Sequence, residues 1–328
     1  MPPLVRKYRK RVVIFSDSPD WHGQNLKKQL LKSNLDARFA SLSKCRIDIN
    51  DNSVAIKIPG FANCLPDGAI VRLINKGTLE QITYWLGVLH ALEKSGVTVY
   101  NSPKTIEKTV DKSMTSFLLN QAHLPTPPTW VCNSKKEAKE WAAKFLRKKE
   151  RIVLKPMFGA EGKGIRLIEK MKELPNHEEV SGIYYLQKFI HSNAKQTMFK
   201  DWRIFVVGKK IVGTMKRSSE SWLTNVSQGS ECTRAKLNRK IESLAVKAAA
   251  VVEADYAGVD VMQDNKGRYY ILEDNSIPAW KGLQSTVNIN IASAIVKDFI
   301  KKIDGDITVS YTHLRAHETE ADLVCRLL

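Results

Sequence analysis

The sequence predicts an α/β protein in which an N-terminal domain with a parallel sheet precedes a two-part region with mainly antiparallel sheets. Two patterns support this prediction. Strand-like and helix-like segments alternate over about the first hundred residues, and short apolar runs later follow one another as hairpins. The composition is that of a globular protein, with 43% hydrophobic and 26% charged residues, and a length of 328 residues suggests about two domains.

The N-terminal elements follow a strand–loop–helix order. The run RVVIF at Arg11–Phe15 predicts a buried strand, and the polar loop SDSPDWHG and a helix over Gln24–Ser33 follow it. No GxGxxG motif follows the first strand, so the sequence gives no support for a dinucleotide site there. The remaining predicted elements are strands at Ala37–Ser41, Ala69–Arg72 and Val97–Tyr100 and a helix at Leu79–Ser95.

Turn residues in NSPKT, at Asn101–Thr105, predict a domain boundary. We therefore expect a first domain over residues 1–104, a central subdomain over 105–190 and a C-terminal subdomain over 191–306. The predicted helices are Ile106–Ala122, Ser134–Lys148 (with a capping box at Ser134 and Glu137), Arg239–Ala254 and Asn288–Lys302. The predicted strands are Arg151–Pro156, Ile165–Ile168, Tyr184–Ile190, Trp202–Val207 and Ile211–Lys216, with a last hairpin over Gly258–Asn275.

The last residues are set apart from the fold. The segment SYTHLRAHET at Ser310–Thr319 resembles a translated sequencing adapter. This resemblance predicts that residues 307–328 are a non-native, adapter-derived tail.

The net charge of +18 raises the expectation of an anionic partner. The basic residues are spread along the chain, however, and no RRM, KH, zinc-finger or helix-turn-helix pattern is present, which favours a solvated surface over a nucleic-acid partner. No apolar run reaches the ~18 residues of a membrane helix, and no signal peptide is evident. Scattered cysteines without a CxxC pair are typical of the cytoplasm and argue against a Cys-type zinc site.

A glycine-rich loop follows the strand that ends at Lys155. Gly159, Gly162 and Gly164 would let backbone N–H groups approach phosphate oxygens, and Lys155 would bind phosphate as a point charge. Because the next segment looks like a strand, the loop predicts a hairpin lid rather than a Walker A loop. The alternative is a mobile surface hairpin.

The terminal hairpin predicts a metal site. Asp260 falls opposite Glu273 if the turn is at Lys266–Gly267, and a register shifted by two residues makes them diagonal neighbours. Either register places Asp260, Glu273 and Asn275 on one face, and their oxygens suit Mg²⁺. Polar residues on a solvated edge are the alternative, but the flanking residues are apolar.

Arginines on two paired strands could face one cleft. Arg203 and Arg217 suit phosphoryl or carboxylate groups, although surface cations are the alternative interpretation, which we accept for Lys209 and Lys210 in the turn. Lys112, at the start of a helix, would be a solvent-facing lysine if it were judged without context.

In combination, these motifs resemble the ATP-grasp superfamily, and in particular the RimK-like α-L-glutamate ligases. The resemblance covers residues 101–300 through NSPKTIEKTVDK, VLKPMFGAEGKGI, YLQKFI, DWRIFVVGKKIVGTMKR, TNVSQG, GVDVM and LEDNS. The N-terminal pieces IFSDSPDWHG and VRLINKGTLEQ resemble the tetrahydromethanopterin:α-L-glutamate ligases.

The resemblance implies a role for each matching position. It implies ATP binding by Lys112, Lys155, Gly159, Gly162, Gly164, Gln187, Lys188, Phe189, Ile190 and Lys216, with Gln187–Ile190 as the adenine-binding linker. It implies Mg²⁺ or Mn²⁺ binding by Asp260, Glu273 and Asn275, and catalysis by Arg203, Arg217 and Asn225. Arg72, Trp21 and His22, in the N-terminal loops, are candidates for contacts with the substrate. For His22, a locally hydrogen-bonded turn residue is the alternative interpretation.

Two positions depart from the family pattern. Gln228 stands where RimK proper has an arginine, and Lys188 stands where the linker usually has a glutamate. Both departures concern the acceptor substrate rather than the ATP chemistry.

The resemblance implies an enzyme, a ligase that forms a carbon–nitrogen bond. ATP and Mg²⁺ would convert a carboxylate to an acyl phosphate, which the amine of L-glutamate attacks. The implied acceptor is an anionic, tetrahydromethanopterin-like carboxylate, and related ligases are often homo-oligomers. The alternatives are RimK-type glutamylation of a peptide or protein C-terminus or an amino-group carrier protein, a basic nucleic-acid-binding protein, and an inactive nucleotide-binding regulator.

Overall fold

The computed structural model describes residues 9–51, 53–62, 64–159, 162–190 and 198–310. The chain divides into unit 1, Met1–Lys104 with Asn290–Leu328, and unit 2, Thr105–Ile289. In chain order the elements are β1 (Arg11–Phe15), α1 (Trp21–Lys32), β2 (Asp36–Ala40), β3 (Arg46–Asn50), β4 (Ser53–Lys57), β5 (Gly68–Val71), α2 (Leu79–Lys94), β6 (Thr98–Tyr100), α3 (Pro103–Val110), α4 (Lys112–Gln121), β7 (Thr129–Cys132), α5 (Lys135–Leu146), β8 (Ile152–Lys155), β9 (Arg166–Ile168), β10 (Tyr184–Lys188), β11 (Phe199–Val207), β12 (Lys210–Ser219), β13 (Glu231–Arg234), α6 (Arg239–Val251), β14 (Tyr256–Gln263), β15 (Tyr269–Asn275), α7 (Lys281–Gln284) and α8 (Ile291–Ser310).

Unit 1 contains a parallel sheet in the order β2-β1-β5-β6. Its strand β1 is buried along Val12–Phe15, as expected for an apolar strand covered on both faces. Helix α8 packs against α1 and β6. It also lies over Gly68, where a Cβ atom would be 2.7 Å from Phe299 and 2.8 Å from Ile303. Residues from both ends of the chain therefore build this unit, whereas the sequence placed the last helix in the subdomain 191–306.

Two features of unit 1 differ from the sequence prediction. Helix α1 begins at Trp21 rather than Gln24, because the Asp20 carboxylate accepts a hydrogen bond from the N–H of Gly23 at 2.8 Å and caps the helix there. The hairpin of β3 and β4 was not predicted. Ile49 and Val54 are 74% and 69% exposed while Ile56 is buried, so the alternating apolar residues mark a face that is buried at one end only.

The first sheet of unit 2 is antiparallel, in the order β7-β10-β8-β9. Helix α5 covers it with Ala138, Trp141 and Ala142, which belong to one core with Leu154 and Leu186. Strands β8 and β9 pair directly, so the glycine-rich segment between them forms the predicted hairpin.

The second sheet of unit 2 is antiparallel, in the order β13-β12-β11-β14-β15. Helix α6 covers one face, where Ala245 and Ala248 share a core with Ile204 and Val259. Because successive residues of a strand point to opposite faces, Arg203 on β11 lies on the other face. The sheet directions confirm the predicted order of a parallel sheet followed by antiparallel sheets.

The predicted helix Ile106–Ala122 is two helices, α3 and α4. Asp111 has an extended backbone and its carboxylate accepts hydrogen bonds from the N–H groups of Ser113 and Met114, which starts a new helix at Lys112.

Helix α8 continues through residues 307–310, while residues 311–328 of the predicted adapter-derived tail lie outside the described residues. Across the described part of the chain, no helix has the length and apolar character required to span a bilayer.

Candidate active site

A cleft between the two sheets of unit 2 brings together most of the residues that the sequence predicts for ATP binding and catalysis. It encloses about 120 Å³. Its walls include Lys112, Lys155, Gly159, Gly162, Gln187, Lys188, Phe189, Ile190, Arg217, Asn225, Asp260 and Glu273. Four other predicted residues, Gly164, Arg203, Lys216 and Asn275, do not line it.

The glycine-rich loop adopts backbone conformations that glycine favours. Gly159, Gly162 and Gly164 have positive φ angles of 148°, 73° and 77°. A Cβ atom on Gly162 would lie 2.9 Å from Oδ1 of Asn225 and 3.1 Å from Nε2 of Gln228. The loop therefore approaches the segment that follows β12, and the absence of a side chain permits this close approach.

Two lysines place positive charge beside this loop. Lys112 Nζ donates a hydrogen bond to the carbonyl oxygen of Gly159 at 2.8 Å and lies 3.8 Å from Oε1 of Glu273. Burial lowers the pKa of Lys155 to about 8, against the opposing charge of Glu273. Both lysines line the cleft, where their ammonium groups can bind an anion.

The linker Gln187–Ile190 forms another wall of the cleft. Its backbone is fixed from outside the cleft, because the N–H of Phe189 donates to the carbonyl oxygen of Arg151 at 2.9 Å. The Lys188 ammonium pairs with Oε1 of Glu150 at 2.6 Å. The unusual lysine of this linker therefore has a partner within the protein, and Phe189 contacts Trp222 edge to face at 6.0 Å.

Two arginines and two aspartates form a buried ion-pair cluster, three of whose members, Asp201, Arg217 and Asp260, line the cleft. Arg203 donates two hydrogen bonds of 2.7 Å to the Asp260 carboxylate. Arg217 donates from Nε to Asp201 at 2.7 Å and also lies 3.0 Å from Asp260. The Thr224 hydroxyl donates to Asp201 at 2.8 Å.

The cluster determines the charge of Asp260. Burial alone would raise the pKa of Asp260, but the guanidinium groups of Arg203 and Arg217 outweigh it and hold the pKa below its ordinary value. Each carboxylate of the cluster thus faces a guanidinium group, although burial still outweighs the charge of Arg217 at Asp201 and raises its pKa. Asp201 is a further residue of the site for which the sequence motifs predict no role, although its spacing of two residues from Arg203 places both on one face of β11.

The terminal hairpin has the first of the two registers left open by the sequence. Asp260 pairs with Glu273 and Gly258 pairs with Asn275. Two carboxylates and an amide oxygen are the hard ligands that Mg²⁺ prefers, so the donor set fits this metal. Groups of the protein compete with a metal ion for two of these ligands. Arg203 donates to the Asp260 carboxylate, and Oδ1 of Asn275 accepts a hydrogen bond from the N–H of Ile277 at 2.9 Å.

Asp274 lies between two of these residues but on the opposite face of the sheet. It pairs with Val259, whose side chain belongs to the core covered by α6, and it is fully buried. Within the described residues neither carboxylate oxygen has a hydrogen-bond partner. Burial, together with the charges of Asp260 and Glu273, raises the pKa of Asp274 to about 8.

The three residues predicted for the substrate belong to unit 1. His22 and Trp21 lie in the first turn of α1 rather than in a loop, and Arg72 follows β5. Asp20 joins two of them: one of its oxygens lies 2.8 Å from Nδ1 of His22 and 2.8 Å from Nη2 of Arg72. Hydrogen bonds from His22 and Gly23 and the charge of Arg72 outweigh burial and hold the pKa of Asp20 below its ordinary value.

Lys216 lies on the face of β12 opposite Arg217. It pairs with Trp202, which packs against the core beneath α6. The strand period therefore directs Lys216 away from the cleft that Arg217 lines.

Comparisons with known proteins give the family and the fold of the chain. The model of the RimK-like ATP-grasp domain matches residues 109–299. The tetrahydromethanopterin:alpha-L-glutamate ligase of Methanococcus maripaludis is 29% identical over 294 residues, which are 88% of this chain and 97% of that protein. The enzyme of the same name from Methanocaldococcus jannaschii is 35% identical over 215 residues, 63% of this chain and 72% of that protein.

Among solved structures, the chain is similar to the ATP-grasp ligase PsnB complexed with minimal precursor, Mg and ADP. The TM-score is 0.67 and the identity 18%, with 89% of this chain and 98% of that chain covered. This likeness confirms the predicted ATP-grasp fold.

Proposed function

The chain belongs to the RimK-like ATP-grasp family of ligases, and we propose that it adds L-glutamate to an anionic, tetrahydromethanopterin-like carboxylate with ATP as the energy source. One observation carries the proposal: a single cleft combines two lysines, a glycine-rich hairpin and a pair of strand carboxylates. The two relatives named for this activity, similar over most of the chain, support the choice of acceptor.

We assign the phosphate side of the cleft to Lys112, Lys155 and the loop Gly159–Gly164. The backbone N–H groups of a glycine-rich loop bind phosphate oxygens, and the two ammonium groups add positive charge. We assign the adenine to the linker Gln187–Ile190, whose backbone is held in place by pairing with β8 and by the hydrogen bond from Phe189 to Arg151.

Asp260, Glu273 and Asn275 would hold Mg²⁺. When bound, this ion neutralises phosphate charge and orients the transferred group. Glu273 is the most available of the three, because its side chain is 36% exposed and its nearest cation, Lys112, is 3.8 Å away.

The reaction transfers a phosphoryl group and then an acyl group. An oxygen of the acceptor carboxylate attacks the γ-phosphorus of ATP, the bond to the bridging oxygen breaks, and ADP leaves. The amine of L-glutamate then attacks the acyl carbon, releases phosphate and loses a proton as the amide forms.

Arg203 and Arg217 lie beside the carboxylate of Asp260 and would stabilise the developing phosphate charge. Asn225 would orient the transferred group from the side of the loop, and Arg72, Trp21 and His22 are the residues we propose for the acceptor.

The test supplies the purified chain with ATP, Mg²⁺, L-glutamate and tetrahydromethanopterin, and measures ADP release and product mass. We expect a pterin that gains one glutamyl unit, and a loss of about a hundredfold or more in kcat for Glu273→Ala. Glu140→Ala is the matched control, because Glu140 is exposed on α5, away from the cleft.

A parallel reaction contains a peptide with a C-terminal glutamate in place of the pterin. Glutamylation of the peptide alone would contradict the pterin acceptor and support RimK-type modification. No ADP release with either acceptor would contradict both assignments.

A further inference from the structure

A second concave surface of unit 2 shares no lining residue with the cleft. It is a groove of about 1160 Å³ between the N-terminal half of β12, the segment after β13, and α6. Residues Val287–Ile289 complete its rim. The groove is open to solvent and has more space than the cleft, so its ligand need not be a small molecule.

The rim of this groove is strongly basic. Five exposed cations and one half-buried carboxylate, that of Glu242, line it. Within the described ranges of the chain, none of the five cations forms an ion pair with an aspartate or glutamate. The five are Lys210, Arg234, Lys236, Arg239 and Lys247. Their charges reinforce one another, so the groove attracts an anionic partner.

The floor of the groove is apolar. Ile211, Leu237, Val246 and Val287 are half-buried and line it, while Ile289 on the rim is 54% exposed. Ile211 and Leu237 also pack against the core under α6, which fixes their positions. A ligand that fits this surface has apolar side chains as well as negative charges.

The backbone of β12 has a free edge at the groove. Strand β13 pairs with β12 over Met215–Ser218 alone, whereas Lys210–Gly213 pairs with β11 on one side. In the described residues, no other strand pairs with Lys210–Gly213. A free strand edge presents N–H and C=O groups that can pair with an added strand.

We propose that this groove binds an extended acidic segment of a partner protein, which adds a strand to the free edge of β12. Its carboxylates would face the five cations and its apolar side chains the floor. A second copy of this chain is disfavoured as the partner, because each copy carries a net charge of +18. Nucleic acid is disfavoured because no aromatic ring lines the groove to stack on bases. This binding is separate from the ligase reaction and does not depend on the acceptor.

The test uses a fluorescein-labelled peptide of about eight residues, a strand length, in which glutamate and valine alternate. We expect the anisotropy titration to show saturable binding that weakens as salt rises. The triple variant R234E/K236E/R239E should bind at least tenfold more weakly. The control variant K136E/K139E/K144E, with the same charge change on exposed lysines of α5, should bind like the unmodified chain. ADP release by both variants checks that they fold.

A second peptide tests the strand pairing without changing the protein. The same sequence with alternate amides N-methylated keeps every charge but removes the donors that face the edge of β12. We expect its affinity to fall at least tenfold. Equal losses in the two triple variants, or equal affinity of the methylated peptide, would overturn the proposal. Tighter binding of a single-stranded oligonucleotide of equal charge would overturn it in favour of nucleic acid.

Discussion

Two buried carboxylates of one sheet have opposite environments. Asp260 faces the cleft, where Arg203 and Arg217 donate to it, and its pKa is held below the ordinary value. Asp274 lies one strand away on the other face, has no hydrogen-bond partner among the described residues, and its pKa is raised to about 8. Both are less than a tenth exposed. Burial acts to raise the pKa of both carboxylates, and the guanidinium groups of Arg203 and Arg217 are what hold the pKa of Asp260 low.

Removing Arg217, which the Asp201 and Asp260 carboxylates share, should destabilise the fold. Arg217→Leu leaves the Asp201 and Asp260 carboxylates without their common cation, and we expect the free energy of unfolding to fall by about 3–5 kcal/mol. Urea unfolding followed by circular dichroism measures this. Lys216→Leu, the next position on the strand, serves as the control and should change the value by about 0.5 kcal/mol or less. A comparable loss in both variants would contradict the role of the cluster.

Changing the unpaired carboxylate should have the opposite sign. Asp274→Val replaces a buried group without donors by an apolar one, and we expect the free energy of unfolding to rise by about 1–3 kcal/mol. Asp274→Asn keeps a buried polar group and should give none of this gain. Destabilisation by the valine would mean that the carboxylate has a favourable partner.

Lys155 is a buried cation of the same cleft, and burial lowers its pKa to about 8. Bound phosphates favour the charged form, so the nucleotide complex takes up a proton when the free chain is neutral at this position. ATP affinity should therefore fall as pH rises above about 8, by up to about tenfold for each pH unit. Calorimetric titrations from below to above this pH measure the slope. Lys155→Arg, which stays charged, should remove it, and an unchanged slope in that variant would exclude Lys155 as the cause.

The smallest effect concerns one hydrogen bond of the cluster. Thr224→Val removes the hydroxyl that donates to Asp201 but leaves both hydrogen bonds from Arg217. We expect the free energy of unfolding to fall by about 1 kcal/mol in the same urea experiment. A loss as large as that of Arg217→Leu would show that the cluster acts as one unit rather than as separable bonds.

The strand pairing and the glycine-rich hairpin of the cleft could be predicted from the sequence. Strand alternation placed Asp260 and Glu273 on one face, and the structure has that pairing. The glycine pattern predicted the hairpin that contains Gly162. Both predictions depend on contacts between neighbouring strands, for which the spacing along the chain fixes the geometry.

Other features depend on contacts that the local pattern does not encode. Asp201 is one of two carboxylate partners of Arg217, and this pairing follows from the register of β11 and β12 rather than from a motif. The start of α1 at Trp21 depends on a cap by Asp20, and Asp20 was read as part of a loop. Lys210 was interpreted as a surface cation in a turn, and its place in a basic groove appears once α6 and β12 are folded together.

The packing of α8 on unit 1 affects the order in which the chain can fold during synthesis. Translation supplies the strands β1, β2, β5 and β6 first, but the helix that covers Gly68 is made almost two hundred residues after β6. Domains that are continuous in sequence fold as they leave the ribosome. The nascent parallel sheet here must instead wait, with an apolar face uncovered, until unit 2 has been translated.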